Sequence, residues 1–301
     1  MMKDSSKTRK KKIDTSELPF NIVNSAVMVI LCILMLYPML YILGRSFMGE
    51  AERAFRPFAF IPHTIDMGGY RYVFNRNSIV PHAFFVSVAR TVIGTLANLF
   101  FTSLFAYVLS RKKYPLKTPL TMYVVFTMWL NGGMIANYVL IKELGLLNKF
   151  AVYILPGLIG VWNLILLRNF FAEIPEEMEE SAVIDGASEP TMLFRIYLPL
   201  SSAAIATVGL FYAVGHWNSW FDAVMYVSKR EVWTMQMVLR EVVNNAYVDS
   251  MINATEAVDN SIPKEQIQFA TIVVAVFPIL VTYPFLQKYF VKGVMVGSLK
   301  G

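Results

Sequence analysis

The sequence predicts an all-α, polytopic membrane protein with about six transmembrane helices. First, 56% of its 301 residues are hydrophobic and only 16% are charged, whereas a soluble domain usually carries about a quarter charged residues. Second, the apolar residues form long runs, several of which approach or exceed the roughly 20 residues needed to cross a bilayer. Third, the charged residues cluster between those runs. A soluble helical protein with a large core would not require this segregation, so we expect an integral membrane protein.

Six segments qualify as spans, and each is expected to be helical because backbone amides find no water partners within lipid. Transmembrane strands would instead show alternating hydrophobicity over short segments. The first run is too long for the apolar region of a signal peptide, and no small-residue cleavage site follows it, so we expect it to be retained. The predicted spans are residues 22–43, 83–109, 120–140, 152–171, 200–227 and 269–290.

The basic residues predict the orientation of the chain. They gather in the amino-terminal stretch, in the connection after the second span and at the carboxyl end. With six spans these three places fall on one side, which the positive-inside rule makes cytoplasmic. We therefore predict a cytoplasmic basic segment (1–20), a transmembrane domain (21–290) and a cytoplasmic tail (291–301). This distribution accounts for the net charge of +6 without nucleic acid as a partner.

Residues that carry catalysis or hold metals are sparse and scattered. The single cysteine, Cys32, allows no disulfide within the chain and no paired-cysteine metal or redox motif. The three histidines, His63, His82 and His216, match no zinc-protease pattern, and no nucleophile-elbow or P-loop motif occurs. We therefore expect no metal or cofactor on this chain and no catalysis by it, so its energy must come from a partner.

The connection between the fourth and fifth predicted spans, residues 172–199, differs from all others. Pro175 suits the first turn of a helix, and the glutamates after it lie near the positive helix end. Gly186 can adopt the left-handed conformation that ends a helix. A second helix is expected to begin near Glu189 and run into the membrane past Pro199. We predict a helix-turn-helix at the cytoplasmic membrane surface.

The same connection resembles the EAA loop of binding-protein-dependent ABC import permeases. Their pattern is approximately E-A-A-x-x-D-G-A, followed by an apolar stretch that ends in L-P. In this chain the matching residues are Glu180, Ser181, Ala182, Asp185, Gly186, Ala187 and Pro199. Ser181 replaces the first alanine, one small residue for another. Further stretches, residues 131–135, 233–240, 283–290 and 292–301, resemble the sugar-importer branch and its complex-oligosaccharide group, within the maltose-type permease superfamily.

This resemblance implies a type I ABC importer permease fold with a coupling helix between spans 4 and 5. The chain would be one permease subunit in a bacterial plasma membrane, surrounded by membrane lipid. Its implied partners are a second homologous permease, two cytoplasmic ABC ATPase subunits and an extracytoplasmic sugar-binding protein that delivers an oligosaccharide. ATP and Mg would be bound by the ATPases. The EAA residues would couple to them; the alternative is a surface helix that merely caps the bundle.

Polar and aromatic residues within the spans are candidates for the sugar path. Ionisable groups at membrane depth are costly, which makes them functional candidates. Trp217 and Trp220 are three residues apart, which predicts a shared helix face, although tryptophans also anchor spans at the membrane interface. Arg90 either lines the path or extends to the headgroups. The candidates are Trp217, Asn218, Trp220, Asp222 and Arg90.

An ion-driven secondary transporter is the main alternative function. Such carriers often contain inverted repeats and buried acidic residues, whereas these spans lack carboxylates apart from Asp222 and show no mirrored halves. That function would also leave residues 172–199 without a task. Dependence on an ATPase partner distinguishes the two.

Overall fold

The computed structural model describes residues 18–76, 78–112, 114–130, 132–252 and 264–298. Most of the predicted amino-terminal segment (1–17) and the end of the predicted tail (299–301) lie outside the described residues. Within the described ranges all regular elements are helical, in agreement with the predicted fold class. Short 3₁₀ turns occupy Phe150–Tyr153, Leu155–Gly157 and Arg230–Val232, and a π turn occupies Leu193–Tyr197. The α-helices are α1 (Leu18–Arg45), α2 (Glu50–Phe55), α3 (Gly68–Val73), α4 (Val80–Ser110), α5 (Lys117–Trp129), α6 (Gly133–Glu143), α7 (Val161–Ala172), α8 (Glu176–Ile184), α9 (Glu189–Met192), α10 (Leu198–Leu200), α11 (Ser202–Asn218), α12 (Phe221–Tyr226), α13 (Met235–Ile252) and α14 (Lys264–Ser298).

Three helices are long and apolar enough to cross a membrane by themselves. They are α1, α4 and the first part of α14, Lys264–Pro284. Three further pairs of helices pass the same test together, so the described part of the chain has up to six spans. This count agrees with the six apolar runs of the sequence.

The other three spans are bent, although each was predicted as one continuous run. Between α5 and α6 the bend exceeds 40°, and Gly133 there has φ +80°, a conformation that favours glycine. Before α7 the chain bends by 52°, because Gly160 is extended and interrupts the helix. At Ser201 the bend is 86°, so the helix predicted to run past Pro199 into the membrane turns sharply instead.

Helix α4 is the centre of the packing. It makes its most extensive contacts with α11 and α7, and it contributes side chains to both buried clusters. One cluster joins the start of α4 to α13 and α14 through Ala83, Met235 and Ala270. The other joins the end of α4 to α7 and to the segment before α11 through Leu109, Leu167 and Met192. Outside these clusters the spans expose large apolar side chains, as expected for surfaces that face lipid.

Candidate coupling segment and intramembrane polar cluster

The coupling segment, residues 172–199, folds as two short helices around a tight turn. Pro175 precedes α8, whose first turn carries Glu176, Glu177 and Glu179. After α8 the N–H of Gly186 donates to the carbonyl of Val183 at 3.0 Å, and that of Ala187 donates to Ala182 at 2.9 Å. Gly186 has φ +76°. This pair of bonds around a left-handed glycine is a Schellman motif, which satisfies the last carbonyls of α8.

The EAA residues differ in burial. Ala182 is buried and Ala187 is half-buried, so these small residues let the segment lie close against the rest of the chain. Glu180, Ser181 and Asp185 are exposed.

Two large apolar side chains lie beside the exposed EAA residues. Val183 is 56% exposed and Ile184 is 84% exposed at the end of α8. Apolar anchors beside charged groups on a short helix suit docking into a groove of a partner protein.

Arg111 fastens both halves of the segment to the carboxyl end of α4. Its Nη1 lies 2.7 Å from Oε2 of Glu179 on α8, and its Nη2 lies 3.2 Å from Oε1 of Glu189 on α9. The hydroxyl of Tyr107 donates to Glu189, and that of Tyr197 donates to Glu179 at 3.2 Å. In the sequence, Arg111 is one of the basic residues after the second predicted span, and these indicated only the orientation of the chain. Its position directly after an apolar run, in a chain whose other cytoplasmic loop is rich in glutamate, was the feature that could have indicated this ion pair.

The arginine keeps its positive charge in this position. Partial burial, the largest influence, lowers the pKa of Arg111, but the hydroxyl of Tyr197 and the nearby carboxylates outweigh burial. The net result is a pKa above the usual value. Because guanidinium is planar with several donors, one side chain serves two carboxylates at once.

A second group of polar residues, the polar cluster, lies where α4 meets the end of α11. Arg90 forms a two-pronged ion pair with Asp222, and its Nη1 also donates to the carbonyl of Ser219 at 3.2 Å. The ring of Tyr153 lies 4.4 Å from the guanidinium carbon. Arg90 is only 2% exposed, so its side chain points into the bundle and does not extend outward.

The cluster continues along α4 through Asn98. Nε2 of His216 lies 3.0 Å from Oδ1 of Asn98, whose Nδ2 donates to the carbonyl of Gly157 at 2.7 Å. Gly94 makes room for this imidazole, because a Cβ there would lie 2.5 Å from Nε2 of His216. Three spans are therefore joined by hydrogen bonds at one level, a common role for amides between membrane helices.

The predicted substrate residues do not share one environment. The prediction that Trp217 and Trp220 share a face is wrong, because α11 ends at Asn218 and Ser219 is extended. Trp217 is buried, and its Nε1 donates to the carbonyl of Ala275 at 3.2 Å. Asn218 and Trp220 are exposed, and the guanidinium of Arg240 lies 4.0 Å from the Trp220 ring centre. Among the described residues no group of three His, Cys, Asp or Glu is placed to hold a metal ion.

Comparison with known proteins places these features in a family. Residues 99–296 match the family model described as "Binding-protein-dependent transport system inner membrane component". Protein LplC of Bacillus subtilis (strain 168) is 45% identical over 267 residues, which cover 88% of this chain and 89% of that protein. The polygalacturonan/rhamnogalacturonan transport system permease protein YtcP of the same organism is 43% identical, over 90% of this chain and 94% of that protein.

A solved structure shows the same architecture. It is the crystal structure of a bacterial ABC transporter involved in the import of the acidic polysaccharide alginate. The match has a TM-score of 0.84 and 28% identity, and it covers 93% of this chain and all of the other. Permease components of this kind are transport subunits that work with an ATPase and a binding protein, and they are not enzymes. The chain therefore belongs to the family of inner-membrane components of binding-protein-dependent transport systems and is a permease subunit of an ABC importer.

Proposed function

We propose that this permease forms half of the translocation path for an oligosaccharide and receives the work of ATP hydrolysis through the coupling segment. The observation that carries this proposal is the exposed face of α8. Its apolar side chains, Val183 and Ile184, are 56% and 84% exposed, whereas Ala182 on the same helix is buried in a cluster with α4 and α7. A segment that is rigid on one side and apolar on the other is suited to transmit the motion of a docked protein.

The proposed assembly has this chain beside a second, homologous permease. Two ABC ATPase subunits, which bind ATP and Mg, dock on the cytoplasmic side, where we place both termini. An extracytoplasmic sugar-binding protein docks on the other side. Closure of the ATPases moves Glu180 and its neighbours, the spans open outward, and the binding protein releases its sugar into the cavity.

We infer that the transported sugar is an acidic oligosaccharide. The relatives support this substrate class, since one is named for polygalacturonan and rhamnogalacturonan transport and the solved neighbour imports alginate. All three polymers carry carboxylates. The net charge of +6 is compatible with an anionic substrate. Short oligogalacturonates and alginate oligomers are the probes to use.

Purification of the tagged chain in mild detergent, followed by reconstitution in liposomes, tests the function. We expect a second permease and a P-loop ATPase to copurify. ATP hydrolysis should rise when the binding protein is loaded with an oligogalacturonate or an alginate oligomer. A chain that purifies alone and moves sugar on an ion gradient without ATP would establish the secondary transporter instead.

Replacement of Gly186 with valine tests the coupling segment. An L-residue at φ +76° is strained by roughly 1–2 kcal/mol, so the turn between α8 and α9 should relax to another conformation. We expect sugar-stimulated ATP hydrolysis to fall about tenfold or more, because each 1.4 kcal/mol changes a rate about tenfold. The measurement is ATPase activity in liposomes with and without the loaded binding protein.

Gly145 supplies a matched control for this variant. It also ends a helix with positive φ, +63°, but it lies in the connection after α6. Gly145→Val carries a similar backbone cost away from the coupling segment, so its stimulated activity should stay within about twofold of wild type. Equal losses in both variants would indicate a general effect of backbone strain and contradict the assigned role of the segment.

A further inference from the structure

We propose that Arg111 is a positioning residue for energy coupling. It binds the coupling segment on both sides of the turn at Gly186 and so attaches α8 and α9 to the end of α4. The proposal rests on the function proposed above and adds a residue outside the EAA motif. It also adds a second route for the motion, from α8 and α9 directly into α4.

The geometry connects three elements through the side chain of Arg111. Its guanidinium contacts Glu179 on α8 and Glu189 on α9, at 2.7 and 3.2 Å, while its backbone ends α4. The guanidinium carbon also lies 5.3 Å from the ring centre of Tyr107. Since the turn at Gly186 lies between the two carboxylates, the arginine holds the angle between α8 and α9 as well as their position.

The link is partly shielded from water, which makes it stronger than an ordinary surface ion pair. The side chains of Arg111 and Glu179 are 16% and 19% exposed, whereas that of Glu189 is 62% exposed, so the shielding applies to the bond with Glu179. Exposed pairs gain little because water and salt screen them, whereas a charge-assisted hydrogen bond in a partly buried site retains more of its strength. The adjacent pair, Lys112 with Glu176, has side chains that are 67% and 49% exposed and serves as a natural comparison.

On its carboxyl-terminal side, the covalent route from the coupling segment to the bundle is indirect. From α9 the chain passes through a π-helical turn, Leu193–Tyr197, and then an 86° bend at Ser201 before it enters α11. The route through Arg111 bypasses both features and reaches α4, the helix that packs most extensively on α11 and α7. When α8 moves, α4 moves through its contact with Arg111 and α11 moves through the chain. The central helices therefore shift as one body.

The test compares Arg111→Gln, Arg111→Lys and Lys112→Gln in the liposome ATPase assay, with the binding protein loaded with an oligogalacturonate or alginate oligomer. For Arg111→Gln we expect the maximal stimulated rate to fall about tenfold, as loss of two charge-assisted bonds predicts. The basal rate and the binding-protein concentration for half-maximal stimulation should stay within about twofold. Arg111→Lys keeps the charge but reaches one carboxylate, so it should rescue part of the loss.

The ratio of stimulated to basal rate separates coupling from mere folding. A structural role would reduce the amount of active complex and lower both rates together, leaving their ratio unchanged, and that result would overturn the proposal. Lys112→Gln removes a neighbouring charge of the same sign and should retain the wild-type ratio. Hydrogen exchange of the backbone at 176–189 gives a second measure, and it should be faster in Arg111→Gln than in Lys112→Gln.

The two proposals fail in different ways. If wild-type protein shows no stimulation by any loaded binding protein, the proposed function is wrong. If wild type responds and Arg111→Gln responds equally, only the role of Arg111 is wrong.

Discussion

Removal of the carboxylate of Asp222 is expected to destabilise this protein by roughly 3–5 kcal/mol, because it leaves a buried guanidinium unpaired. Arg90 is 2% exposed, and its two-pronged bond to Asp222 is its main charge partner among the described residues. In Asp222→Ala the positive charge would remain between α4 and α11 in a medium of low dielectric. Thermal unfolding in detergent, followed by size-exclusion fluorescence, should show a large fall in Tm and loss of the monodisperse peak.

A double variant separates the cost of an unpaired charge from the value of the pair. Arg90→Met with Asp222→Leu removes both charges and fills similar volume, so it should recover most of the lost stability. Transport in the double variant then reports on substrate contact. A stable double variant with normal uptake would assign the pair to structure, whereas Asp222→Ala with wild-type stability and no uptake would contradict this prediction and favour a substrate role.

Replacement of Gly44 with alanine is the second change with a large expected effect. A Cβ at Gly44 would lie 1.6 Å from the backbone carbonyl oxygen of Phe60, which no side-chain rotation can relieve. The loop after α1 is held at this point, since Tyr41 and Arg45 both donate to the carbonyl of Pro57. We expect the free energy of unfolding to fall by at least the roughly 1–3 kcal/mol typical of overpacking, because the backbone must move to accommodate the Cβ.

Gly215→Ala provides the control for this variant. Gly215 lies within α11, and a Cβ there would meet nothing within 4 Å. Alanine favours a helix over glycine by about 1 kcal/mol, so this variant should be as stable as wild type or slightly more. The measurement is Tm and membrane expression of both variants. A Gly44→Ala protein with wild-type Tm would show that the loop can move away from α1 without cost.

The parts of the fold that depend on local sequence were predictable. Apolar length indicated the spans, and the glycine at 186 indicated the end of α8, because both signals act within a few residues. The breaks at Gly133 and Gly160 were also indicated locally, since glycine interrupts helices. The break at Ser219 had none, because neither glycine nor proline marks it, and the pairing of Trp217 with Trp220 was misjudged for that reason.

The contacts that hold the site together were beyond the reach of local patterns. Arg90 and Asp222 are separated by 132 residues, and Arg111 and Glu189 by 78. Such pairs form because α4 packs against α11 and because the coupling segment folds back under α4. An intramembrane charge signals that a partner is needed, but the partner is chosen by tertiary packing.

Among the described spans, α1 is synthesised before the others, and its main helical neighbour is synthesised after the rest. That neighbour is α14, which α1 contacts through Tyr41 with Phe269 and Arg45 with Glu265. At the 5–20 residues per second typical of translation, roughly 10 to 40 seconds separate Arg45 from Lys264. During that interval α1 must persist as a solitary anchor, and its apolar surface, 0% buried within the chain, is compatible with lipid on all sides. The contact between α1 and α14 therefore forms only after the spans between them have been synthesised.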